Sequence, residues 1–99
     1  MQAIDESMAV NLKSAVKLSQ CALASLQRSG GSIVNVSSIA GLRAWPGALA
    51  YKMSKAAMDQ MTRCVALEVG DIYSYIFVSV QFHCVTLNYK ISHKQLYAW

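Results

Sequence analysis

Chain breakers and acids are scarce here. One proline, five glycines and five Asp plus Glu stand against nine Lys plus Arg, a net charge of +4 over 99 residues. Hydrophobic residues reach 55% and charged ones only 14%, which excludes a disordered, solvated tail. The basic residues are scattered from Lys13 to Lys94 without a block, so no stripe for a nucleic-acid backbone is expected. Cys21, Cys64 and Cys84 form an odd set with no C-x-x-C, which excludes a disulfide framework. Asp5, Glu6, Lys13 and Lys17 interrupt the first twenty residues, so no signal-peptide apolar block opens the chain. The longest apolar stretch, 72–87, contains Ser74, Ser79, Gln81 and His83 and falls short of the roughly 18 clean residues of a membrane span. The expectation is a soluble, cytoplasmic protein that meets neither nucleic acid nor membrane. There is room for one domain only.

Periodicity supplies the elements. Over 5–29, Met8, Leu12, Ala15, Val16, Ser19, Leu23 and Leu26 recur at three- and four-residue steps, predicting an amphipathic helix that Ser29-Gly30-Gly31 ends. Ser32 to Ser38, rich in β-branched residues, predicts a short strand, and 39–47 a loop. A second helix is predicted from about Ala48 to Val69, with Tyr51, Met53, Ala57, Met58, Met61, Cys64, Val65 and Glu68 mostly at helical steps. Beyond Gly70, the run 72–80 has strong strand propensity, and 81–87 either continues it or forms another strand. Helix, strand, helix, strand in this order suits part of a parallel α/β sheet. One strand cannot cover two long apolar helix faces, so the unit reads as a fragment.

Tyr51 and Lys55 lie four apart, on one face of the second helix. A phenol ionises near pH 10 in isolation, and bringing it to neutrality requires about 4 kcal/mol. A lysine ammonium at about 5 Å supplies roughly 3 kcal/mol of that, and the positive start of a helix adds more. Such a pair is a sensible proton donor or acceptor. On spacing alone it reads equally as a half-buried tyrosine beside a solvated lysine. Ser38, at the carboxyl end of the strand, stands where α/β sheets place their ligand crevice.

The string Gly31-Ser32-Ile33-Val34-Asn35-Val36-Ser37-Ser38, then Ala40-Gly41, then Tyr51-Lys52-Met53-Ser54-Lys55-Ala56-Ala57 resembles the short-chain dehydrogenase/reductase family, in its carbonyl/L-xylulose reductase-like or 3-oxoacyl reductase-like form. Val10-Asn11-Leu12 upstream and 61–68 downstream are similar to the matching family segments, so the resemblance runs from about Asp5 to Gly70. It implies a fragment of a Rossmann-like doubly wound parallel sheet, with 1–70 the catalytic half and 71–99 a divergent strand and tail. It also implies interconversion of a carbonyl and a secondary alcohol with NADP or NAD. By the same resemblance, Tyr51 would pass the proton, Lys55 would make the phenol more acidic and hold the nicotinamide ribose, and Ser38 would hold the substrate oxygen. Asn11, through its backbone and an ordered water, would relay protons. The two long helices resemble those of a dimer interface, so a homo-oligomer is expected.

Two features depart from the family pattern. No glycine-rich strand-to-helix turn for a pyrophosphate occurs in the chain, and 71–99 shows neither the family's usual I-R-V-N-like strand run nor its Pro-Gly turn. They open an alternative, a non-catalytic fragment that associates through its two long helices with a full-length relative. Among lesser signals, the sequon Asn35-Val36-Ser37 falls in a strand expected to be buried, and His83, Cys84 and His93 fit no zinc spacing. Met53, Met58 and Met61 are expected to be core or helix-packing residues rather than a special surface.

Overall fold

The computed structural model describes residues 1–69, 76–80 and 83–87. A helical rod opens the chain in three stretches: α1 (Gln2–Ser7), a π-helical stretch (Met8–Lys13) and α2 (Ser14–Ser29). The single helix expected over 5–29 thus begins earlier and carries a widened turn. At its end the Ser14 N–H reaches Ala9 O, five residues back, while the Ser14 hydroxyl donates to Val10 O, the carbonyl an α-helical N–H would have used. At the far end Gly30 adopts φ 70°, and its N–H meets Leu26 O at 2.9 Å. Only glycine takes that left-handed conformation cheaply, which is why α2 stops there.

Strand β1 spans Ile33–Val36, shorter than the expected Ser32 to Ser38, because Ser38 leaves the strand to start a 3-10 turn over Ile39–Gly41. The loop that follows is pinned to α3 (Leu49–Val69) by Lys52. Its ammonium lies 4.0 Å from the Trp45 ring centroid and donates to Gly47 O at 2.6 Å and to Trp45 O.

The chain returns to the sheet as β2 (Ile76–Val80), parallel to β1 with Ile33 opposite Ile76 and Val36 opposite Ser79. Strand β3 (His83–Leu87) then runs antiparallel to β2, giving the order β1-β2-β3. The β1-α3-β2 crossover is the expected parallel α/β unit. The sheet becomes mixed at β3 because two intervening residues allow a reversal but no crossover. Among the described residues β1 is paired on one edge only, and Val34 and Val36 remain 57% and 65% exposed.

Val65, Ala66 and Val69 of α3 form the buried core, with Leu23 and Met61 packed on it. Of the residues that fall at helical steps along α3, Met58 and Val65 are buried, whereas Tyr51, Met53 and Cys64 are exposed. Hydroxyls and a carboxylate complete the face instead: Ser54, Asp59 and Thr62 are at most 2% exposed. Thr62 shows why this is tolerated. Its hydroxyl accepts from Asn35 Nδ2 at 3.0 Å and donates to Met58 O at 2.8 Å, tying β1 to α3 without an orphaned polar atom. No helix among the described residues is long and apolar enough to cross a membrane.

Candidate active site

The end of β1 and the first turns of α3 bring Lys55 beside Tyr51, while Ser38 and Tyr51 line neither of the two cavities named below. Val36 closes β1, and its carbonyl accepts from Lys55 Nζ at 3.1 Å, so the lysine bridges helix and strand. The same ammonium lies 5.7 Å from the centroid of the Tyr51 ring one turn back. Tyr51 itself is 40% exposed. One acceptor uses one of the three ammonium hydrogens, leaving two for the hydroxyls of a ligand.

Ser38 follows Val36 by two residues and is buried. Its hydroxyl oxygen accepts from Ala40 N at 3.1 Å, which caps the 3-10 turn, and its O–H hydrogen stays available for a substrate oxygen. This turn packs against α3, so Ser38 is carried on a segment seated on the helix that holds Tyr51 and Lys55.

Asn11 lies within the π-helical stretch, which also packs on α3. Its Nδ2 donates to Ser54 Oγ at 2.9 Å, and Ser54 donates on to Tyr51 O at 2.8 Å. Sequence reasoning missed Ser54. The only signal was its place immediately before Lys55, since a serine on a helix face normally reads as solvated. Asn11→Ala would leave Ser54 Oγ, 0% exposed, without its donor. A stability loss of about 1 kcal/mol is expected in urea unfolding, the usual net worth of such a bond.

Asn11 and Lys55 share the wall of a cavity of about 500 Å³ between the helical rod and β1, with Ser14, Asn35 and Met58. A second cavity, about 460 Å³, lies against Trp45, Lys52, Met53 and Ala56 and includes none of the four candidates. Among the described residues no group of His, Cys, Asp or Glu could hold a metal ion. The side chains of His83, Cys84 and His93 lie outside the described structure. Of Met53, Met58 and Met61, Met58 is buried, Met61 packs on the core and Met53 is 42% exposed, so it is not part of the core. For a dinucleotide, the free hydrogens of Lys55 on the cavity wall fit the nicotinamide ribose. Among the described residues no pyrophosphate seat is built: Gly30, left-handed at a helix end, closes α2 where the dipole is negative.

Comparison with known proteins agrees with this architecture. The family model for short chain dehydrogenase matches residues 1–86. Carbonyl reductase [NADPH] 2 of Sus scrofa is 41% identical over 71 residues, 70% of this chain and 29% of that protein. L-xylulose reductase of Caenorhabditis elegans is 39% identical over 71 residues, 70% of this chain and 28% of that protein. Among solved structures, an apo SCOR enzyme from Clostridium thermocellum superposes with a TM-score of 0.68 at 25% identity, over 78% of this chain and 30% of that one. The chain therefore spans under a third of the length of these relatives.

Proposed function

Since this chain belongs to the short chain dehydrogenase family, we propose that it acts as an NAD(P)-dependent oxidoreductase interconverting a small carbonyl compound and its secondary alcohol. The observation that carries this reading is the Lys55 bridge. One ammonium ties the helix turn bearing Tyr51 to the strand end that leads into Ser38, on the wall of the cavity that Asn11 also lines.

In the reducing direction the Ser38 hydroxyl donates to the substrate carbonyl oxygen and fixes it. The Tyr51 phenol transfers its proton to that oxygen as negative charge develops there. Lys55 stabilises the phenolate left behind, and Asn11, with its backbone and an ordered water, returns a proton from solvent. Bound NADP or NAD would supply or accept the hydride, its ribose held by Lys55 and Tyr51. Within this reading residues 1–70 are the catalytic half and 71–99 a divergent strand and tail. Cytoplasmic residence and pairing of two copies through the long helices complete it.

Calorimetric titration with NADPH tests the proposal, alongside turnover of a dicarbonyl panel followed by nicotinamide absorbance. Saturable binding at or below about 1 mM, some −4 kcal/mol, is expected. No saturation and no turnover would remove the enzymatic reading and leave the fragment that only associates with a relative.

A further inference from the structure

Among the described residues no side-chain hydrogen bond joins the Ser38 turn to α3, yet the two are in close contact. The contact is made at Gly41. A Cβ at this position would lie 2.8 Å from Asp59 Oδ2, 3.0 Å from Ala56 N and 3.0 Å from the carbonyl carbon of Lys55. Real Cβ atoms essentially never approach a neighbour within 3.0 Å, so a side chain here displaces the Asp59 carboxylate, and its two 3.0 Å contacts on the α3 backbone require turn or helix to give by a few tenths of an ångström.

The turn transmits such a push. Gly41 N–H bonds Ser38 O at 2.9 Å and Ala40 N–H bonds Ser38 Oγ at 3.1 Å, so three residues move as one unit with the Ser38 hydroxyl at its head. On the helix side the contact falls on the Lys55–Ala56 peptide, which α3 holds rigid. Asp59 is the one neighbour able to yield. It is 2% exposed and neither carboxylate oxygen has a hydrogen-bond partner among the described residues, so no bond anchors it.

We propose that Gly41 is a positioning residue: bare of a side chain, it seats the Ser38 turn on α3 at Lys55 and sets the reach of the Ser38 hydroxyl, with Asp59 as the movable half of the contact. The inference rests on the catalytic reading given above for its effect on rate, but its geometric content stands by itself. Gly41→Ala shifts Ser38 by tenths of an ångström, and kcat is expected to fall roughly tenfold or more, with KM for NADPH little changed. Gly41→Ala combined with Asp59→Ala removes the 2.8 Å clash and leaves two at 3.0 Å. Part of the lost rate then returns, severalfold over Gly41→Ala alone, and Asp59→Ala by itself completes the cycle.

Amide NMR of the same proteins provides a readout independent of turnover. In Gly41→Ala, resonances of Ser38, Lys55 and Ala56 are expected to move. Shifts confined to position 41 and its neighbours, or an unchanged kcat, overturn the proposal. A double variant no faster than Gly41→Ala overturns the role of Asp59. If Gly41→Ala unfolds, recovered cooperative unfolding in the double variant supports the contact and continued unfolding overturns it. A wild-type chain without turnover removes the redox reading, and the amide shifts then decide the geometry.

Discussion

Tyr51→Phe is expected to slow NADPH-dependent reduction of a dicarbonyl by about 10²–10⁴-fold, the usual contribution of a positioned general acid. The substitution deletes one oxygen and leaves the ring that faces Lys55. Tyr51 is 40% exposed, and its hydroxyl makes no hydrogen bond among the described residues. Stability should therefore change by no more than about 0.5 kcal/mol. A fall in rate with an unmoved thermal midpoint assigns the loss to chemistry. Turnover that survives the substitution would take the proton-transfer role away from Tyr51.

Lys55→Met is expected to cost about 10²-fold or more in turnover, as loss of one preorganised donor at a developing charge usually does. NADPH affinity should also fall, by about tenfold or 1.4 kcal/mol, because the ribose loses its ammonium. Methionine keeps most of the stem, so packing is preserved and the charge alone is removed. The bond to Val36 O also disappears. Since Lys55 is only half-buried, water can replace it there, and the stability cost stays near 1 kcal/mol. Lys52→Met is the control. That ammonium rests on the Trp45 ring and lines the other cavity, so turnover should be unchanged. Equal losses in both variants would show that net charge, not the Tyr51–Lys55 arrangement, governs the rate.

Much of the architecture was readable because periodicity and breakers are local signals. The apolar steps from Met8 to Leu26, Gly30 after α2, and the β-branched Ile33–Val36 each reported their own conformation. The parallel pairing of β1 with β2 followed from the intervening helix. What a binary pattern cannot show is polar burial. Ser54, Asp59 and Thr62 gave no signal in that pattern, yet they fill the inner face of α3; the bonding partners of Ser54 and Thr62 (Asn11 and Asn35) and the Gly41 turn beside Asp59 are remote in sequence. The π-helical stretch was hidden for a similar reason: its end is marked by where one serine hydroxyl bonds, not by composition. Within the candidate site, the Tyr51–Lys55 spacing was legible from helix geometry. The reach of Lys55 to Val36 O required the strand to be placed first.

The free flank of β1 has a consequence for the life of this polypeptide in a cell. Among the described residues no strand pairs with the outer edge of β1, and such an edge, with Val34 and Val36 standing clear of the interior, is a ready template for any extended peptide that drifts past. Whatever seals that border, another polypeptide or a chaperone, governs how much of the material stays dispersed. Abundance would then track the supply of that cover more closely than the intrinsic folding energy of the chain.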